Sequence, residues 1–228
     1  KNWSRLIRKI SVNTLTYLIL LLGCFAALLP FYWMTTAALK TRTEIASTPP
    51  RWIPSNPQWA TYVRAWTFMP NPTLLRALLN STIVTVSHTL LLLLACSLTG
   101  YVLAKYKFRG ERLIFMWIVS QMMIPGFTGL IPMYLLMVWF GWINTYWALI
   151  IPGAFSAYSI FLIRQYIITI PNEILDAARL YGCSEFGLFW RMILPLSKPA
   201  LSAIGLINFV WIWNDLLWPM LMIKNREW

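Results

Sequence analysis

Three long stretches of this chain carry no Asp, Glu, Lys or Arg: between Lys9 and Lys40, between Arg76 and Lys105, and between Arg112 and Arg164. A bilayer core demands about 20 apolar residues per spanning helix, so the first two stretches hold one span each and the third holds two. The hairpin of the third falls at "WFGWIN", Trp139 to Asn144, with Gly141 as the turn and aromatics at interface depth. A fifth apolar run extends from Ala200 to Ile223. Helices are therefore expected near 14–38, 78–104, 113–138, 143–165 and 200–223. With 59% hydrophobic and 11% charged residues and a mean hydropathy of +0.62, the composition excludes a water-soluble domain. The expected fold class is all-α, a polytopic transmembrane helix bundle of five spans forming one domain over residues 1–228.

The formal net charge of +12 would suit a nucleic-acid partner if it lay along one polar face, but the basic residues lie mostly between apolar runs. Lys1, Arg5, Arg8 and Lys9 precede the first helix. Lys105, Lys107, Arg109 and Arg112 crowd one short loop, and Arg164, Arg179, Arg191 and Lys198 flank or occupy a later one. These clusters alternate onto one face, which the positive-inside rule makes cytoplasmic. Lys40, Arg42, Arg51, Arg64 and Arg76 fall on the other side, in the loop 39–77. That loop is long and turn-rich ("STPPRWIPSNPQW"), so its charges weigh less. We expect it to be a compact extracytoplasmic segment. Residues 1–13, with Trp3, Leu6, Ile7 and Ile10 at helical spacing among basic residues, suit a short helix on an anionic inner leaflet. The apolar run that follows exceeds a signal-peptide core, so an uncleaved anchor is expected. The chain does not begin with Met and ends at Trp228, just after the fifth run, as a fragment would.

Cys24 and Cys96 lie in apolar spans and Cys183 in a loop, which is no disulfide framework. No metal-binding histidine motif, glycine-rich phosphate loop or nucleophile elbow occurs, and the lone His88 in an apolar helix reads as a packed, hydrogen-bonded residue. No catalytic residue and no metal ligand is expected.

The stretch "EILDAARLYGCSEFGLFWRMILPLSKPA", Glu173 to Ala200, interrupts this apolar pattern with charges, a glycine and a proline. Asn172 can cap a helix whose apolar positions Ile174, Ala177, Ala178 and Tyr181 follow helical spacing, and Gly182 then supplies the left-handed turn that ends it. Ser184 can cap a second short helix, with Phe186, Phe189, Trp190 and Ile193 on one face, stopped by Pro195. Helices this short need a surface to pack on, which leaves one face for the bundle and one for a partner.

At these residues the chain resembles the permease subunits of bacterial ABC importers, in the maltose-transporter-like carbohydrate uptake branch. The family's loop signature is E-A-A, a glycine, then L-P at fixed distances. Asp176, Ala177 and Ala178 stand at the first element, Gly182 at the glycine, and Leu194 with Pro195 at the last. Asp176 replaces the usual glutamate, and Tyr181 stands where many members have aspartate. "LLPFYWMTTAALKTRTEI", "PPRWIPSNPQWATYVRAW" and "NFVWIWNDLLWPMLM" resemble the first helix, outer loop and fifth helix of these permeases, whose core has six helices. The resemblance implies a multi-pass protein of the bacterial inner membrane, not itself an enzyme, coupled through a cytoplasmic loop at 171–199 to ATPase subunits. It implies two ATPase subunits that bind ATP and Mg, a second permease subunit, an extracytoplasmic solute-binding protein and a sugar as substrate. A glycerol phosphodiester or another small solute stays open as substrate. The alternative class is a secondary transporter or channel with its own coupling-ion sites, which would have no reason to keep the loop signature.

Polar residues inside apolar runs mark the candidate substrate path. Asn214 and Asp215 lie within the fifth run, where a carboxylate costs roughly 2.5–3.5 kcal/mol unless it faces protein or water. Lining the path and hydrogen-bonding across helices are both open roles for them. Trp211, Trp213 and Tyr158 could stack on sugar rings or serve as packing residues. "MMIPGFTGLIP", Met122 to Pro132, predicts a third helix broken beside a cavity.

Overall fold

A computed structural model describes residues 2–67 and 73–225, which among themselves form helices and turns and no strand. The chain divides into two compact units, Lys1–Leu74 and Leu75–Trp228.

In the first unit, α1 runs without a break over Asn2–Ala38, so the segment 1–13 is not a separate helix in backbone terms. Side chains of residues 1–12, on which its inner-leaflet reading rests, lie outside the described residues. From Asn13 the helix is long and apolar enough to span a membrane, and its apolar side chains are exposed all round, as on a lipid-facing helix. Two short helices follow, α2 at Arg42–Ile45 and α3 at Ala60–Thr67. Thr41 opens α2 with a capping box: its hydroxyl accepts from the Glu44 N–H, and the Glu44 carboxylate accepts from the Thr41 N–H. The other Glu44 oxygen accepts from the Ser55 N–H at 3.0 Å, which folds the loop back on itself.

The second unit starts on α4, Leu74–Lys105, among the described residues the other unbroken helix long enough to span. The three remaining expected spans are all broken. The third comprises α5 (Glu111–Ser120) continued by a 3-10 turn to Met123, then a second 3-10 turn (Gly126–Gly129) and α6 (Leu130–Trp139), with a bend of 100° at Ile124–Pro125. This is the break expected beside a cavity. The hairpin lies where expected, with Gly141 at φ +68°.

The fourth, expected as one helix over 143–165, is instead α7 (Tyr146–Ile150) and α8 (Ala157–Ile168). Pro152 and Gly153 interrupt it, and the Ser156 hydroxyl restarts the helix by accepting from the Ser159 N–H at 3.2 Å. Two short helices, α9 (Asn172–Leu180) and α10 (Glu185–Leu188), form the charged insert, and α10 continues through a π-helical turn (Phe189–Ile193) into α11 (Leu194–Leu196). The fifth span, expected over 200–223, divides into α12 (Lys198–Trp213) and α13 (Leu217–Met222). Pro219 cannot donate to the Asp215 carbonyl one turn earlier, and the Asp215 side chain replaces the missing continuity by accepting from the Leu217 and Trp218 N–H groups at 3.1 and 3.3 Å.

One core of this unit gathers Leu92 and Cys96 of α4, Ile163 and Ile167 of α8, and Leu201 and Ile204 of α12 around side chains of the charged insert. Gly100 makes the α4–α8 approach possible. A Cβ there would stand 2.9 Å from Ile163 Cγ2 and 3.2 Å from the Arg164 backbone nitrogen. A second, smaller core joins Val84, Met137, Ala148, Leu149 and Met222.

Candidate functional site

Two features of the second unit carry functional geometry: the corner formed by α9 and α10, and a cavity at the far end of α12.

The corner is anchored at its start by Lys105, whose Nζ donates to the Ile170 carbonyl and, at 2.8 Å, to Asn172 Oδ1. Asn172 is therefore the first helical residue and not the cap; Pro171 holds that position and makes no side-chain cap bond. At the other end of α9 the Cys183 N–H bonds to the Ala178 carbonyl and the Gly182 N–H to the Arg179 carbonyl, the two bonds of a Schellman closure, with Gly182 at φ +79°. Ser184 caps α10 as expected, its Oγ accepting from the Gly187 N–H at 3.2 Å.

The buried face differs from the expected one. Leu175 and Ala178 pack on the core, with Leu188, Phe189 and Ile193 from the second arm. Ile174, Ala177 and Tyr181 are turned outward, as are Phe186 and Trp190. The choice falls on Leu175 because the core opposite, with Leu188, Phe189 and Ile193, packs against its side of α9 rather than against the neighbouring, also partly apolar, stripe. Leu180 is 89% and Tyr181 93% exposed, so the corner displays apolar bulk on its outer side.

Pro195 does not stop the second arm. The π turn over Phe189–Ile193 widens the helix, which relieves the clash between a proline ring and the carbonyl one α-turn back, and the chain stays helical to Leu196. It turns by 75° only before Lys198. At that turn Ser197 is buried, and its hydroxyl has no partner among the described residues. Leu194 is half-buried and Pro195 exposed.

A charged clasp ties the two arms. Arg179 donates to Asp176 at 2.8 Å and to Glu185 at 2.9 Å, and the Tyr106 hydroxyl also donates to Glu185. The Arg179 guanidinium, and secondarily the Tyr106 hydroxyl, holds the Glu185 carboxyl below the ordinary carboxylate range. Burial, then the Glu185 contact, pushes the Tyr106 phenol up. This link from the α4 end to α10 had no sequence signal, because Tyr106 and Glu185 are remote in the chain.

The cavity has a volume of about 720 Å³. Its wall includes Gly126, Gly129 and Met133 from the broken third span, Pro152 and Ser156 from the break in the fourth, and one face of α12 and α13. Of the residues expected on the path, Tyr158, Trp211 and Asp215 line it, whereas Asn214 and Trp213, the latter stacked on Phe209, do not. Asn214 ends α12, its Nδ2 donating to the Val210 carbonyl at 2.7 Å. Asp215 thus lies on the cavity wall and caps α13 locally, its hydrogen bonds going to amides two and three residues on rather than across helices.

His88, Asn208 and Trp218 also line the cavity, although they were not expected there. His88 is hydrogen-bonded as expected, its Nδ1 donating to the Ile150 carbonyl at 2.9 Å. Asn208 donates to Thr89 Oγ1 at 3.0 Å and Trp218 Nε1 to the Ala148 carbonyl at 2.8 Å. A sequence signal for Asn208 existed: Ile204, Asn208, Trp211 and Asp215 recur at helical spacing on the lining face.

The description "binding-protein-dependent transport system inner membrane component" matches residues 96–225. An arabinooligosaccharides transport system permease protein of Halalkalibacterium halodurans is 35% identical over 65% of this chain and 53% of its own length. A melibiose/raffinose/stachyose import permease protein of Bacillus subtilis is 30% identical over 98% of this chain and 80% of its own length. The matched segment thus spans about half of the first relative and four fifths of the second. The fold is that of a chain from the crystal structure of a bacterial ABC transporter involved in import of the acidic polysaccharide alginate, with a TM-score of 0.82 at 24% identity over 94% of this chain and 75% of that one.

Proposed function

This chain belongs to the binding-protein-dependent transport system inner membrane components, and from that premise we propose that it is the permease subunit of an ATP-driven importer of a sugar or oligosaccharide. It works in the bacterial inner membrane with a second permease subunit, two ATPase subunits and an extracytoplasmic solute-binding protein. ATP and Mg bind in the ATPase subunits, and this chain's part is mechanical. The two relatives are named for arabinooligosaccharides and for melibiose, raffinose and stachyose, which supports a saccharide as cargo.

The observation that carries this reading is the shared core of the corner and the cavity-lining helix. Leu188, Phe189 and Ile193 of the corner pack in one cluster with Leu201 and Ile204 of α12. From Leu201 the helix runs about 15 Å, at about 1.5 Å per residue, to Trp211 on the cavity wall, with Asp215 just beyond its end. An ATPase cleft gripping the exposed rim of Ala177, Leu180, Tyr181 and Phe186 would move a packed body rather than a loose loop. Asp176, through Arg179, and Gly182 hold the angle, Ala178 seats the corner on the core, and Leu194 and Pro195 carry the movement into α12.

Gly182→Val tests it. At positive φ an L-residue loses about 1 kcal/mol or more, and a β-branched one more still. We expect the variant to insert normally but to lose ATPase subunits on purification and solute-stimulated ATP hydrolysis in what remains. Wild-type retention and hydrolysis would overturn the coupling role.

A further inference from the structure

We propose that the cavity selects uncharged saccharide rings and rejects acidic ones, with Asp215 as the residue that sets the discrimination. The inference rests on the reading of this chain as a saccharide importer subunit. The lining residues include no lysine and no arginine, in a chain with 19 of them. Its one carboxylate is Asp215, half-buried, with Oδ1 engaged by the Leu217 and Trp218 amides and Oδ2 without a hydrogen bond among the described residues. An acidic sugar entering would meet a like charge with no lysine or arginine on the wall to compensate it.

An uncharged ring finds what it needs on the same wall. Trp211 and Tyr158 present exposed aromatic surface to its apolar face, while Asn208, Ser156 and the Asp215 carboxylate offer partners for hydroxyls. This mixture of mostly apolar lining with a few convergent polar groups is how small-molecule sites are built.

The test uses the whole transporter with its partner subunits in nanodiscs, and two disaccharides that differ only in their carboxylates, galactobiose and digalacturonate. Saturation-transfer NMR should show galactobiose binding at least about tenfold more tightly. Asp215→Asn keeps an oxygen for the α13 amides but removes the charge, and should shrink that ratio to about threefold or less. Trp211→Ala should weaken galactobiose about tenfold. Equal or tighter digalacturonate binding, an unchanged ratio in Asp215→Asn, or no binding of either sugar would overturn the proposal. ATP-driven uptake of a saccharide into proteoliposomes by the same preparation is read separately. If uptake persists while selectivity fails, only this inference falls; if no saccharide is taken up at all, the importer reading falls with it.

Discussion

Arg179 and Glu185 stand on opposite arms of the Gly182 corner, and Nε of the first donates to Oε1 of the second at 2.9 Å. A single exposed ion pair adds little stability, about 0–1 kcal/mol. Its value here is geometric, since it closes the angle that the Schellman turn opens, and Tyr106 ties the same carboxylate to the end of α4.

That relationship makes the corner sensitive to acid. The Glu185 pKa lies below its ordinary value when folded, so its contribution is complete above the usual glutamate pKa of about 4.3. It is lost as pH falls through the lower folded value. Hydrogen exchange at the Gly182 and Cys183 amides, corrected for intrinsic rate, should stay constant from neutral pH down to about 5 and rise below about 4. In Glu185→Gln the protection should already be reduced at neutral pH and show no acid step there. Superimposable profiles would remove Glu185 from the clasp.

Neighbouring alanines should behave oppositely. Ala178 is 7% exposed and packs in the core, whereas Ala177 is exposed on the rim. Ala178→Trp overpacks the core and should lower stability by at least about 1–3 kcal/mol, visible as poorer expression and a lower melting temperature. Ala177→Trp should leave both unchanged yet abolish retention of the ATPase subunits. The reverse pattern would mean that the docking face has been assigned to the wrong side of α9.

The helix–corner–helix form was legible because its devices are local: Ser184 caps within three residues, and a glycine was needed where Gly182 stands. The break near Pro125 was legible for the same reason. Which face of α9 is buried was not, because neighbouring stripes are both partly apolar and the core opposite decides between them. The breaks in the fourth and fifth spans were not legible, since apolar composition marks length in a bilayer, while Pro152 and Pro219 remove individual hydrogen bonds that composition does not register. The cavity emerged only in part: Trp211 and Asp215 lie on a readable helical stripe, but His88 reaches the wall from α4, far away in sequence.

Close approach of α4 and α8 depends on Gly100. Gly100→Ala should cost about 1–3 kcal/mol, because the added methyl meets both Ile163 Cγ2 and the backbone at Arg164. Ile163→Ala alone should cost about 2–5 kcal/mol by leaving a cavity. Combined, the two should cost less than their sum, since the side-chain clash disappears while the backbone contact stays. Thermal unfolding of the purified assembly across this cycle measures the coupling, and strict additivity would show that the helices adjust without strain.

Lys40 should hold the 39–58 segment of the first unit closed. It is only 5% exposed; its Nζ donates to the Arg51 carbonyl at 2.5 Å and sits 4.1 Å from the Trp33 ring centre. Trp33 in turn meets Trp52 edge-on at 5.3 Å, so one ammonium joins the end of α1 to the proline-rich return. Lys40→Met keeps the apolar stem but strips the carbonyl of its donor, a loss of about 1–3 kcal/mol. Trypsin cleavage after Arg51 requires that return to open, so the variant should be cut at least about fivefold faster than the parent, RT ln 5 being about 1 kcal/mol. The same assay on spheroplasts checks sidedness: cleavage from outside agrees with an extracytoplasmic loop, and cleavage confined to inverted vesicles would reverse the topology. An unchanged rate in Lys40→Met would show that the Thr41–Glu44 capping box and the Ser55 contact suffice to close the loop without it.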